Sequence, residues 1–234
     1  KDGRNLIVKL ATFIVYPLAK RIVFQTRAEL ACFPAYIRKK AVIVPNPVDV
    51  QAYAAEKRSR KIVSAGRLTW AKNHKMLINA FARIKAEHPE YCLYIYGEGA
   101  LREKLEEQIK ELGLEECVFL PGNVDNLHER LADAEIFVLS SYYEGQSNAL
   151  IEAMMMGLPC ISSRYEGVTE LIKNGKNGLL VRPDDDEHLY HKLNILIKDK
   201  QLALNIGKQA QDSVRHMKSE NWLPVWRSAI EDLI

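Results

Sequence analysis

Residues 61–97 read KIVSAGRLTWAKNHKMLINAFARIKAEHPEYCLYIYG, and this stretch decides the fold. Lys61–Ala65 is a short apolar run that ends at Gly66, the pattern of a strand and its turn. From about His74 to Glu87 the apolar residues return at helical spacing, and Cys92–Tyr96 is a second short apolar run before Gly97. Strand, helix and strand joined by short loops make a βαβ unit with parallel strands. The strands are apolar throughout rather than alternating, as strands covered on both faces should be.

The same alternation runs on in the C-terminal direction. A helix is expected to about Leu112, then a strand over Cys117–Leu120, a helix over Asn126–Asp133 and a strand over Ile136–Ser140. A further helix runs through Met156 and is stopped by Gly157 and Pro159. A strand over Pro159–Ser162, a helical segment over Thr169–Lys173, a strand over Gly178–Val181 and helices over 186–232 complete the pattern. The expected fold is α/β, a Rossmann-like parallel sheet with helices on both faces. Toward the N-terminus, residues 5–20 read as a helix and Arg21–Gln25 as a strand. Thr26 with Glu29 forms a capping box for a short helix. Ala41–Val44 reads as a second strand, ended by Pro45-Asn46-Pro47, and residues 45–60 as a linker.

Hydrophobic residues make up 47% and charged residues 27% of the 234, which excludes a disordered chain, a collagen and a multi-span membrane protein. The net charge is only +3, but residues 1–40 carry nine Lys and Arg against Asp2 and Glu29, a balance of +7. Such a front end suits a solvated rim or an anionic surface. The four cysteines, Cys32, Cys92, Cys117 and Cys160, share no CxxC spacing and read as reduced, mostly buried thiols. His188 and His191 lie three apart on a surface helix with no third ligand nearby in sequence.

Ligands of open parallel sheets bind beyond the carboxyl ends of the strands, so the chemistry is sought in the loops there. The loop Gly66–Asn73 places Arg67 and Lys72, a bidentate fork and a point charge, at the rim. Gly97-Glu98-Gly99 lacks the third glycine of a dinucleotide fingerprint and reads as a tight turn. The run Ser140–Glu152 puts Glu144 before a helix and Glu152 in its early turns. The small polar residues Ser147 and Asn148 stand at the helix start, where free N–H groups favour an anion. Asp184-Asp185-Asp186 precedes a helix and reads as its cap rather than as a metal site.

Taken in order, these residues resemble the retaining glycosyltransferases of family 4, which have the two-domain GT-B fold. The run from Glu144 to Glu152 is similar to their Glu-x7-Glu motif. Val44-Pro45-Asn46-Pro47-Val48-Asp49, Gly66-Arg67-Leu68 with Lys72-Asn73, and Gly97-Glu98-Gly99 with Leu101-Arg102 also match. So do Glu152-Ala153-Met154, Gly157-Leu158-Pro159, Gly167-Val168-Thr169-Glu170 and Asn177-Gly178-Leu179-Leu180-Val181, over roughly residues 20–232. Two departures stand out. Gln146-Ser147 replaces an aromatic or Met followed by Pro, and Asn46-Pro47 replaces the commoner Asn-Gly.

The resemblance implies the C-terminal half of a GT-B fold. Residues 1–49 would end the front acceptor domain, 50–215 would form the donor domain, and 216–234 a helix crossing back, so the chain reads as a fragment. The implied reaction moves a sugar from a nucleotide-diphosphate donor, UDP by family frequency, to an acceptor hydroxyl with retention, in polysaccharide or glycolipid synthesis. The implied catalytic set is Glu144, Arg67 and Lys72. Arg67 and Lys72, with Gln146, Ser147, Asn148, Ala149 and Leu150, would bind the diphosphate, and Glu152 the ribose. Glu144, Gly145 and Gln146 would meet the donor sugar, and Leu120, Asn123 and Val124 the nucleobase. No metal and no cofactor is expected, the nucleotide sugar being a substrate. The expected partners are that donor and a sugar or lipid-linked acceptor, with peripheral membrane association and no nucleic acid. The expected location is cytoplasmic, at the inner face of the membrane. The rivals are a nucleotide-sugar 2-epimerase and a non-catalytic nucleotide-sugar-binding domain.

Overall fold

The computed structural model describes residues 14–50 and 58–231. Its centre is a six-stranded, all-parallel sheet of β3 (Lys61–Ala65), β4 (Cys92–Tyr96), β5 (Val118–Gly122), β6 (Ile136–Leu139), β7 (Cys160–Ser163) and β8 (Leu179–Val181). The spatial order is β5-β4-β3-β6-β7-β8. Successive strands leave β3 in one direction and β6 in the other, so the switch of strand order falls between these two. At such a point the loops diverge and open a crevice. The loops after β3 and β6 are those that carry Arg67, Lys72, Glu144 and Ser147.

Alternate residues of each strand feed two cores, as the pleat requires. Ile62, Leu93, Ile136, Val138 and Ile161 pack under α3 (His74–Glu87), α4 (Arg102–Glu111) and α8 (Asp186–Lys198). Val63, Phe137, Leu139, Cys160 and Leu180 pack under α5 (Leu127–Ala132), α6 (Asn148–Met155) and the C-terminal end of α9 (Lys200–Val214). Both faces are covered, so the near-continuous apolar strands have their physical reason. The short helix α7 (Val168–Leu171) follows β7, and α10 (Ser219–Glu231) closes the described chain.

In front of this body, β1 (Ile22–Phe24) and β2 (Ala41–Ile43) form a separate two-stranded parallel sheet, with α1 (Arg27–Ala31) and α2 (Ala35–Arg38) between them. Thr26 caps α1 through its hydroxyl, which accepts from Glu29 N at 3.0 Å; the Glu29 carboxylate takes Gln25 N at 3.3 Å. Most of the helix expected over 5–20 lies outside the described residues, and Tyr16–Leu18 is a short 3-10 turn around Pro17.

The linker expected over 45–60 is only partly open. Val44 and Val48 are buried, and Val48 N donates to Met217 O at 3.3 Å. Val48 shares a core with Met217 and so holds this segment against the turn before α10, although the prolines bar a long ladder. Trp226 Nε1 on α10 also donates to Pro45 O at 3.1 Å. Residues 51–57 lie outside the described residues. All four cysteines are free, and Cys32, against the expectation of mostly buried thiols, is exposed at the end of α1. Among the described residues no helix is long and apolar enough to cross a membrane.

Candidate active site

The loop after β3 leaves the sheet at Gly66, turns through Trp70–Lys72, and enters α3 by way of Asn73 in the left-handed region at φ 47°. Its shape depends on the neighbouring loop. Gly97 has φ 141°, and a Cβ there would lie 2.1 Å from Gly66 O; one on Gly99 would lie 2.4 Å from Leu68 O. Gly66 N donates to Tyr96 O at 2.9 Å, and Leu68 N to Glu98 O at 2.8 Å. The Gly97-Glu98-Gly99 pattern is therefore a surface on which the cation loop lies backbone to backbone, not a phosphate cradle. Gly66 makes room in turn for the Lys72 stem, whose Cε would be 3.0 Å from an added Cβ.

Lys72 and Glu144 meet across the switch point, Nζ against Oε1, with side chains 17% and 14% exposed. Ser141 Oγ donates to the same Glu144 oxygen at 2.6 Å. Ser140 Oγ holds Lys72 O at 2.8 Å, and Tyr142 N holds Ala71 O at 2.9 Å, so the two loops are stitched together. Arg67, five residues before Lys72 in the same loop, is exposed.

Ser147, the buried residue before α6, stands at the N-cap position and gives the helix no side-chain cap. The first N–H groups of Asn148, Ala149 and Leu150 are thus left for an anion. Glu152, one turn on, is mostly buried and lies 3.4 Å from His128 Nε2 on α5. Burial raises its carboxyl above the usual range, and His128 opposes that rise. His128 was not singled out from sequence; its only signal was its place in the short helix before β6.

The Gln146 side chain is spent on the front segment. Its Oε1 accepts from Asn46 N at 3.1 Å and its Nε2 donates to Asn46 O at 3.2 Å. Asn148 Oδ1 accepts from Asn46 Nδ2 at 3.3 Å. The departure at Gln146 therefore sits on the junction that carries the other departure, Asn46-Pro47. Gly145 is exposed at the loop tip.

In the region assigned to the base, Leu120 O accepts from both Arg102 Nη atoms at 3.2 Å, while Glu98 and Glu106 hold the guanidinium from the other side. Asn123 is exposed and Val124 half-buried. Among the Asp residues at 184–186, Asp185 caps α8 through His188 N at 2.8 Å. Asp184 accepts from Asn73 Nδ2 at 3.0 Å and from the Tyr142 hydroxyl. Among the described residues no three His, Cys, Asp or Glu come close enough to hold a metal ion.

Two further buried groups escaped the sequence reading. His74, the first residue of α3, is 3% exposed under the cation loop, with neither ring nitrogen in a hydrogen bond of good geometry. Burial lowers it to about 4, so it is neutral at physiological pH and adds no third cation. Tyr165 buries its hydroxyl without a partner; burial, then the Glu144 charge, hold it in the protonated form. Neither residue lies in a motif that sequence could single out.

An N-acetylgalactosamine-N,N'-diacetylbacillosaminyl-diphospho-undecaprenol 4-alpha-N-acetylgalactosaminyltransferase of Campylobacter jejuni is 32% identical over 85% of this chain and 56% of its own. An uncharacterized glycosyltransferase of Methanocaldococcus jannaschii is 30% identical over 95% of this chain and 63% of its own. The chain thus spans about 56–63% of these relatives' length. The crystal structure of Anabaena HepE with UDP and glucose superposes with a TM-score of 0.84 at 20% identity, over 96% of this chain and 66% of that one, and shares the fold. The family model for glycosyl transferases group 1 matches residues 46–213, which takes in every loop of the crevice, and the chain belongs to that family.

Proposed function

We propose that this chain is the donor-binding part of a retaining glycosyltransferase of family 4, which moves a sugar from a UDP-sugar to an acceptor hydroxyl in polysaccharide or glycolipid synthesis. The observation that carries the reading is the Lys72–Glu144 pair at the switch point, with the exposed Arg67 in the same loop as Lys72 and the uncapped start of α6 in the loop region of Glu144.

The pair holds opposite charges in one contact. A nucleotide sugar carries their complements in the same order, an anionic diphosphate and a hydroxylated ring. A bound diphosphate takes Lys72, and the sugar hydroxyls replace Lys72 as donors to Glu144. In transfer, the bond from the anomeric carbon to the leaving diphosphate breaks while the acceptor oxygen bonds to that carbon and its hydroxyl proton passes to the departing diphosphate oxygen. Negative charge grows on the leaving oxygen, where Arg67, Lys72 and the N–H groups of residues 148–150 stabilise it. Glu152 accepts from the ribose hydroxyls, steadied by His128, and main chain near Leu120, Asn123 and Val124 meets the base. The relative from Campylobacter names a lipid-linked acceptor. This and the +7 front end support peripheral association with the inner face of the cytoplasmic membrane.

Calorimetric titration of the chain with UDP tests the reading. We expect saturable binding that is unchanged by a chelator, since two side-chain cations and a helix start serve the diphosphate. A loss of about tenfold on chelation, about 1.4 kcal/mol, sinks the metal-independent site. No binding in either condition sinks the donor reading.

A further inference from the structure

Beside the crevice lies a broad aromatic face that no donor role uses. Trp70 is 64% exposed and Tyr143 61% exposed. Trp70 stacks on Tyr142 with ring centroids 4.6 Å apart and planes 24° from parallel, and Tyr143 tilts against Trp70 at 6.3 Å. Phe81, Tyr91 and Phe137 are fully covered in the same domain. Rings left open together forfeit that burial, and contiguous exposed faces of this kind mark binding surfaces.

The face is braced from beneath. The Tyr142 hydroxyl donates to Asp184, whose Oδ1 also takes Asn73 Nδ2 at 3.0 Å, and Tyr142 N donates to Ala71 O at 2.9 Å. The loops after β3, β6 and β8 are thereby tied together under the rings. Asp184 also holds the Tyr142 hydroxyl protonated, up to about 12. The position of the face is informative. Trp70 precedes Lys72 by two residues and Tyr143 precedes Glu144 by one, so the rings adjoin the Lys72–Glu144 pair, where the donor reading has the diphosphate meet its sugar. The Glu152–His128 pair belongs to α5 and α6, across the sheet from α3 and α8, and marks the nucleotide end.

We propose that Trp70, Tyr142 and Tyr143 form a platform that stacks against a pyranose ring of a saccharide acceptor, next to the sugar being transferred. The proposal rests on the donor-site reading above. A pyranose has an apolar face of C–H groups and an edge of hydroxyls. The C–H face suits the electron-rich faces of stacked rings. The hydroxyl edge finds the oxygens of Tyr143 and Asp184, both of them exposed residues. A lipid chain or an apolar protein surface laid over the same face would bury those polar groups without partners, at a cost.

The test is a titration of the chain with maltotetraose, cellotetraose and chitotetraose, followed by tryptophan emission and by saturation transfer to the sugar protons, with and without UDP. At least one saccharide is expected to saturate the signal. Trp70→Ala should weaken it by about tenfold, Trp70→Phe should restore most of it, and UDP affinity should stay within about twofold throughout. No response to any of the three saccharides overturns the platform, as does a response that survives Trp70→Ala. A response to phosphatidylcholine vesicles with none to saccharides also overturns it, in favour of a lipid surface. If UDP itself fails to bind, the donor reading falls and the UDP-free titration alone decides the platform.

Discussion

The loops after β3 and β4 touch backbone to backbone, with Gly97 and Gly99 pressed against the carbonyls of Gly66 and Leu68. The front segment, residues 14–50, meets the β6 side of the crevice through side chains instead. Gln25 and Asn46 bond to Gln146 and Asn148, and the Glu170 carboxylate accepts from the N–H groups of Arg27 and Ala28 at 3.2 and 2.7 Å. Backbone packing of the first kind has no slack, because neither partner has a rotamer to change. Side-chain bonds of the second kind exchange with water at a small net cost, about 0.5–1.5 kcal/mol each. The crevice therefore has a floor fixed before any ligand arrives and a front edge held by exchangeable contacts.

The largest effect should come from breaking the floor. Gly97→Ala drives a methyl into Gly66 O in a backbone region that L residues rarely adopt. We expect a loss of at least about 2 kcal/mol in urea denaturation, from overpacking and strain together. Gly113→Ala is the control, since Gly113 has φ 65° but nothing within 4 Å of an added Cβ. It should cost only about 1 kcal/mol, the left-handed penalty alone. Equal losses in the two variants would show that contact between the loops carries no weight.

This contrast also explains what the sequence made legible. Six strands and their helices were readable because each strand is a short apolar run feeding two cores, a pattern that local residues alone determine. The capping roles of Thr26 and Asp185 were readable for the same reason. The purpose of Gly97-Glu98-Gly99 was not, because it depends on which loop lies across it, and that follows from strand order. The pairing of Lys72 with Glu144, of His128 with Glu152 and of Gln146 with Asn46 likewise joins residues far apart in sequence, as spacing cannot reveal. Within the linker expected over 45–60, Val48 is buried; prolines signal the end of a ladder but not what covers the residues after them.

Next in size is the loss of charge on the floor. Lys72→Ala should weaken UDP binding by roughly 1.5–3 kcal/mol, the worth of a charged hydrogen-bonding partner. It also leaves Glu144 in a mostly covered place without its cation. Lys72→Ala combined with Glu144→Gln should recover stability but not UDP affinity, as read by thermal denaturation and calorimetry. Recovery of both would mean that Lys72 serves only to neutralise Glu144.

Glu152 sharpens the contrast through pH. Burial raises its folded carboxyl above the unfolded value. The stability linked to that proton is present below the unfolded pKa and is lost as pH rises through the folded one. At neutral pH the charged Glu152 therefore costs stability, and Glu152→Gln should raise the melting temperature. The same variant should weaken UDP binding, since a carboxylate accepts from two ribose hydroxyls and an amide oxygen serves them less well. In the parent chain UDP affinity should begin to fall, on acidification, at a higher pH than an ordinary glutamate would cause, and Glu152→Gln should flatten that fall. A pH profile unchanged by the substitution would remove Glu152 from the ribose site.

The smallest effect should come from the front edge. Gln146 lies where the family pattern predicts contact with diphosphate and donor sugar, yet both ends of its amide are bonded to the Asn46 backbone. If those bonds are its main work, Gln146→Ala should cost about 1 kcal/mol of stability, two partly exposed neutral bonds at the low end of about 0.5 kcal/mol each. UDP affinity should not change measurably, because the α6 N–H groups and both cations remain in place. Discrimination among UDP-sugars is the sensitive readout. A side chain held by the junction gives no reason for the variant to bind UDP-glucose and UDP-N-acetylglucosamine in a different ratio. A changed ratio at constant UDP affinity would mean that Gln146 leaves Asn46 when the donor arrives. The front edge would then belong to the donor site itself, and the division between a fixed floor and an exchangeable edge would have to be drawn between UDP and its sugar.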